Sequence, residues 1–85
     1  MSNKLEILKK RLLYRASYRG TKEMDILLGQ FVKKYIDEVN EAYLNELENF
    51  LKYEDEVIFN FYQQDIIKEN IDQNKVSKIF KNFKI

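Results

Sequence analysis

Eighty-five residues make a single domain, and folding at that size buries only about 60–65% of the surface the unfolded chain exposes, so the core has to be dense in large side chains. Six Phe, six Tyr and many Leu and Ile supply the volume, while the lack of Pro and the presence of only two Gly argue for helices joined by short turns. Fifteen basic against fourteen acidic residues leave a net charge of +1, unlike the one-sided balance of most nucleic-acid binders, and a chain without Cys or His lacks thiolate nucleophiles, disulfides, the usual general base near neutral pH and the commonest transition-metal ligands. No apolar run approaches the ~20 residues that span a bilayer. The segment Met1-Ser2-Asn3-Lys4-Leu5-Glu6 lacks the apolar centre of a secretory signal. The expectation is a cytoplasmic bacterial protein, a monomer not inserted in a membrane, that performs no covalent chemistry itself.

In chain order, Asn3 and Glu6 have the capping-box spacing loosely, since Ser and Thr are the better first members. Leu5, Leu8, Leu12 and Ala16 then recur at helical spacing, Leu13 widens the stripe, and Lys4, Lys9, Lys10 and Arg11 lie mostly off it. That basic face reads either as solvated surface or as electrostatic guidance onto an acidic partner. Tyr14, Arg15 and Tyr18 fall near the end of this first helix, and Arg15 and Arg19 suit the negative end of its dipole. A second helix is expected from about Thr21, whose hydroxyl caps it, with Glu23 and Asp25 in its first turn. Met24, Leu27, Leu28, Phe31, Val32, Tyr35 and Ile36 follow i, i+3, i+4, i+7, i+8, i+11, i+12, the cleanest amphipathic pattern in the chain and the expected central core helix. Gly29 lies within it at a cost of ~1 kcal/mol relative to Ala unless close helix packing offsets that.

The polar break Asp37-Glu38-Val39-Asn40 precedes a third helix marked by Leu44, Leu47 and Leu51, with Tyr43 and Phe50 beside them and an acidic outer face of Glu41, Glu46 and Glu48. Residues 52–56 make a turn. The apolar run Val57, Ile58, Phe59, Phe61 and Tyr62 permits a strand but has no second strand to pair with, so a short buried helix is expected. Residues 63–73 read as a helix tail and a loop, after which Asp72 or Asn74 caps a last helix carrying Val76, Ile79, Phe80 and Phe83. The tail, residues 81–85, is expected to fray. The sum is an all-α fold, a single five-helix bundle over residues 1–85, whose first two helices meet at Arg19-Gly20.

That corner, Tyr18-Arg19-Gly20-Thr21-Lys22-Glu23-Met24-Asp25, carries the densest signal. Gly20 falls where one apolar pattern stops and the next starts, a place that needs a positive φ or admits the close approach of a partner. Arg19 at the end of one helix and Glu23 in the first turn of the next can project from one corner. The same residues also serve simply to end one helix and begin another. As chemistry the corner is poor: Glu23 and Asp25 stand two residues apart, about 200° around a helix, which does not suit joint acid/base work on one atom. A lone glycine with no Lys-Ser/Thr pair after it is not a phosphate loop. The start of the second helix could hold an anion, either a partner's carboxylate or a cofactor phosphate. The interleaved Tyr and Lys read as core packing in preference to base stacking.

Residues 12–29, Leu-Leu-Tyr-Arg-Ala-Ser-Tyr-Arg-Gly-Thr-Lys-Glu-Met-Asp-Ile-Leu-Leu-Gly, resemble the signature of the SdhE-type flavinylation factors, bacterial relatives of the mitochondrial succinate dehydrogenase assembly factor. The hallmark Arg-Gly-x-x-Glu is matched by Arg19, Gly20 and Glu23, and its longer form by Asp25. Phe50 to Tyr62, an acidic turn followed by a short aromatic helix, resembles the family's second segment, with two departures: this chain has no proline in the turn and carries Phe61 about where the family has Trp. The resemblance covers roughly residues 5–65. It implies a five-helix assembly factor that binds the flavoprotein subunit of succinate dehydrogenase, or in some bacteria fumarate reductase, and favours covalent attachment of that subunit's FAD to one of its histidines. The FAD and the bonding histidine then belong to the partner, and the factor stably binds no cofactor. On this implication Gly20 lets the corner backbone approach the partner, Arg19 and Glu23 hydrogen-bond across the interface, and Tyr14, Tyr18 and Asp25 flank them on the same patch. The competing reading is a small helical regulatory protein, antitoxin-like or nucleic-acid-associated.

Overall fold

The computed structural model describes residues 4–84, so Asn3 and its expected capping role lie outside the described residues. Five α-helices follow in order: α1 Lys4–Ser17, α2 Lys22–Tyr35, α3 Glu41–Leu51, α4 Asp55–Gln64 and α5 Lys75–Lys81, with a short 3-10 turn, Ile71–Gln73, between the last two. Among the described residues there is no strand, and no helix is long and apolar enough to cross a membrane.

Local chemistry sets most of the helix starts. Thr21 is extended and its Oγ1 accepts from the Met24 N–H at 3.4 Å, so the expected cap of α2 is in place. Asn40 Oδ1 accepts from Tyr43 N–H at 3.1 Å at the head of α3. Asn74 Oδ1 takes both the Val76 and Ser77 N–H groups at the head of α5, at 2.8 and 3.1 Å. The start of α4 precedes its apolar run, at Asp55, because Asp55 and Glu56 place negative charge in the first turn where the helix dipole favours it.

α1 packs along α2 and against α3, α3 packs on α5, and α4 closes against α5 and the 3-10 turn. The centre is aromatic. Phe31 of α2, Phe50 of α3 and Phe80 of α5 meet with ring centroids 4.9 to 6.4 Å apart in tilted or edge-on arrangements, which suit the ring quadrupoles better than face-to-face stacking. Gly29 marks the crossing of α1 over α2. A Cβ there would stand 3.1 Å from Ser17 Oγ, so close packing offsets what a mid-helix glycine costs.

Three expectations change. Residues 81–83 are fastened where fraying was expected: Lys81 Nζ donates to the Phe61 carbonyl at 2.7 Å and the Tyr62 carbonyl at 3.2 Å, two acceptors left open by the end of α4, and pairs with Asp65. Tyr62 donates its hydroxyl proton to the Phe83 carbonyl at 2.5 Å, and the Phe83 ring lies 5.3 Å from that of Phe31. Second, α5 buries Val76, Ser77 and Phe80 and leaves Ile79 exposed. Ser77 is accepted in the core because its hydroxyl is satisfied by the carbonyls of Ile71 and Asn74. Third, the acidic face of α3 is partly engaged by the rest of the chain: Glu48 pairs with Arg11 and Arg15 of α1 at 3.6 and 3.8 Å, and Glu46 accepts from the Lys75 N–H at 3.2 Å. Lys9 meets Asp37 at 3.7 Å. The basic face of α1 therefore serves the fold in part, each such exposed pair contributing roughly 0–1 kcal/mol.

Tyr35 packs on Phe31, and burial, then the neighbouring Tyr43 and Glu38, raise its pKa above the ordinary 10.0. A raised folded-state pKa means the neutral phenol is favoured in the fold, so its contribution is intact below the unfolded pKa and is lost as pH climbs through the folded one. Thermal stability is expected to fall above about pH 10, and Tyr35→Phe to flatten that part of the pH–melting curve.

Candidate functional site

The corner between α1 and α2 is built by two side chains that point back into the protein. Arg19 sits past the end of α1, and its guanidinium reaches the turn between α3 and α4. Nε donates to Asp55 Oδ1 at 2.8 Å, Nη1 to the Leu51 carbonyl at 2.6 Å and Nη2 to the Tyr53 carbonyl at 2.7 Å. Leu51 ends α3, so its carbonyl has no helical partner, and Asp55 opens α4. A planar fork with fixed donors fits this arrangement of two carbonyls and a carboxylate; a lysine ammonium would not. The side chain is only 11% exposed. Three of its five side-chain N–H groups are spent within the chain, so Arg19 braces the corner from behind.

Asp25 has a related task. Its Oδ1 accepts from the backbone N–H of Arg19 and, at 3.3 Å, from that of Gly20, which holds the corner backbone against the first turn of α2. Gly20 has φ +113°, a conformation that side-chain-bearing residues rarely adopt, and nothing lies within 4 Å of where a Cβ would be. The glycine is needed here for its backbone angle, and its outer side is open. Glu23 is exposed on the first turn of α2, and its carboxylate makes no hydrogen bond or ion pair among the described residues. Thus the two carboxylates of the corner diverge as the helix geometry requires, Asp25 inward to the backbone and Glu23 outward.

Tyr14 and Tyr18 are 65% and 69% exposed, with ring centroids 4.5 Å apart. With Arg15, Arg19, Glu54 and Asp55 they line an open groove of about 450 Å³. The structure therefore brings Tyr14, Tyr18 and Arg19 to one side of the corner, puts Gly20 at its tip and turns Glu23 to the other side. Sequence reasoning missed Asp55 and the Leu51 and Tyr53 carbonyls as partners of Arg19. The acidic turn was visible, but a pairing across 36 residues leaves no local signal.

An expected contrast follows. Asp25→Ala removes the acceptor for two corner N–H groups and should cost about 1–2 kcal/mol in chemical denaturation. Glu23→Ala, at an exposed unpaired position, should stay within about 0.5 kcal/mol of wild type.

Among the described residues no group of three or more carboxylates could hold a metal ion. The corner is braced from within and presents glycine backbone, an exposed carboxylate and two exposed tyrosines on one edge of a small helical domain. The family model described as flavinator of succinate dehydrogenase matches residues 10–84, and the chain belongs to that family. It is 45% identical over 47 residues to a mitochondrial succinate dehydrogenase assembly factor 2 of Scheffersomyces stipitis, a match covering 55% of this chain and 32% of that protein. It is 43% identical over 47 residues to an FAD assembly factor SdhE of Acetobacter pasteurianus, covering 55% of this chain and 43% of that protein. With the mitochondrial assembly factor 2 of Dictyostelium discoideum it shares 37% over 59 residues, 69% of this chain and 42% of the relative. The chain thus matches less than half the length of these relatives. No solved structure matches it.

Proposed function

We propose that this chain is an assembly factor that docks on the flavoprotein subunit of succinate dehydrogenase and promotes covalent attachment of FAD to a histidine of that subunit. The observation that carries the reading is the corner itself: Gly20, at a positive φ with open space around it, stands between an exposed tyrosine pair and an unpaired Glu23, all held rigid by Arg19 and Asp25. A preorganised corner loses little freedom on binding, which leaves more of the contact energy to hold a mobile partner segment in one arrangement. The partner's backbone can approach Gly20 closely, and Glu23 supplies an acceptor for a charge-assisted hydrogen bond.

In this reading the chain is not itself the flavin transferase, and FAD belongs to the partner. What supports that division is the lining of the corner groove: its two guanidiniums already have acidic partners, Arg19 with Asp55 and Arg15 with Glu48 at 3.8 Å, and Glu54 adds negative charge that a pyrophosphate would meet. A chain without His or Cys also has no residue of the kind that bonds the flavin ring in the partner. The factor acts as a monomer in the bacterial cytoplasm, with the fumarate reductase flavoprotein as a further client. Family membership favours this over the regulatory or nucleic-acid-associated alternative.

The test is covalent flavin, read as ultraviolet fluorescence of the denatured flavoprotein subunit made in cells lacking their own factor. Wild type is expected to raise the signal, whereas Gly20→Arg and Glu23→Ala leave it near background, Glu23→Ala with an unchanged melting curve. Equal fluorescence with wild type, variants or nothing added would sink the reading.

A further inference from the structure

We propose that the cleft between α2 and α4 is a second docking surface, shaped for a basic, apolar segment of the flavoprotein partner; this rests on the assembly-factor reading. Two adjoining hollows of about 320 and 400 Å³ run along the cleft and share Glu23 and Phe59 in their walls. Ile26 and Phe59, in its walls, are 45% and 38% exposed. Glu23 stands on the α2 rim and Glu56 on the α4 rim, both exposed and neither in an ion pair among the described residues. Neither hollow is lined by a lysine or arginine.

Single exposed apolar residues need no explanation, and acidic residues on a helix face are ordinary solvated surface. Here the two are interleaved, which selects an occupant by chemistry. An acidic or purely polar segment would face two like charges or gain nothing from the apolar floor. The aliphatic stem of a partner Lys or Arg covers Phe59 and Ile26 while its head reaches Glu23 or Glu56, so that apolar burial and charge pairing are obtained from the same side chain. The cleft is also continuous with the corner: Asp55 lines both the tyrosine groove and the first hollow of the cleft, its carboxylate neutralised by Arg19. A partner seated on Gly20 therefore reaches the cleft without crossing an unrelated surface.

The experiment titrates immobilised flavoprotein subunit of succinate dehydrogenase with wild type, Phe59→Ala, Glu56→Lys, Gly20→Arg and, as a control charge on α5, Lys78→Glu, at low and high salt. Phe59→Ala is expected to weaken binding about tenfold and Glu56→Lys about tenfold or more, with melting curves unchanged and Lys78→Glu equal to wild type. Salt should weaken wild type more than Glu56→Lys. If both cleft variants bind as wild type while Gly20→Arg fails, the cleft is not a docking surface and the assembly-factor reading survives. If wild type itself does not bind, both are overturned. Should Glu56→Lys leave flavoprotein affinity intact but convert a sedimenting dimer to monomer, the occupant is a second copy of this chain and the proposal is wrong.

Discussion

Arg19→Ala is expected to lose about 3 kcal/mol of folding stability, with a fall in melting temperature of roughly 12–24 °C for a domain of this size. The substitution leaves the Leu51 and Tyr53 carbonyls without their donors and Asp55 without its counter-ion, and it uncouples the α1–α2 corner from the α3–α4 turn. Arg19→Lys should recover little of this, since a single ammonium cannot serve three acceptors laid out for a planar fork. A double-mutant cycle with Asp55→Ala should give a coupling of about 1–2 kcal/mol. Covalent flavin yield should fall with Arg19→Ala as well, but through the shape of the corner. Were Arg19→Ala to unfold at the wild-type denaturant midpoint while losing only partner binding, the side chain would have to act across the interface after all.

Phe31→Ala should be the more damaging change, at about 3–5 kcal/mol. The side chain is 2% exposed and touches the rings of Tyr35, Phe50, Phe80 and Phe83, so its removal opens a void that three helix-borne neighbours and the tail cannot all close on. A chain of 85 residues has a total stability of only ~4–13 kcal/mol. The variant is therefore expected to sit near its unfolding threshold at room temperature, with weakened near-ultraviolet circular dichroism and a broad transition. Ile67→Ala, on an exposed loop position, should change stability by less than about 0.5 kcal/mol. Two variants with equal midpoints would show that the aromatic cluster is not the centre of the core.

The contrast between these residues explains how much of the molecule could be read in advance. Phe31 was legible because helix periodicity is local: the stripe from Met24 to Ile36 fixes which side of α2 is buried whatever it packs against, and Met24, Leu27, Leu28, Phe31, Val32 and Ile36 are all buried. The cap at Thr21 was legible for the same reason, since an N-cap bonds within three residues of itself, and the last cap was legible to within Asp72 or Asn74, of which Asn74 serves. In the segment 63–73 the three isoleucines were equivalent by pattern, yet only Ile71 is buried while Ile66 and Ile67 face solvent. No periodicity exists in a loop to separate them, and the 3-10 turn that selects Ile71 forms against α4 and α5.

The site divides along the same line. By itself the sequence determined that helices would form, that the second would be capped by Thr21, that a glycine with special backbone freedom would join the first two, and that Arg19, Gly20, Glu23 and Asp25 would sit together at that joint. Those are statements about neighbours along the chain, and they follow from steric and hydrogen-bond rules that act over a few residues. Only the tertiary structure decided that Arg19 turns inward to Asp55 and the end of α3, that Asp25 holds the corner backbone, and that Glu23 of the two carboxylates stays exposed. A guanidinium beside a glycine has no preferred direction until another part of the chain presents acceptors to it. Here those acceptors come from a turn more than thirty residues away, brought within reach by packing of the aromatic core.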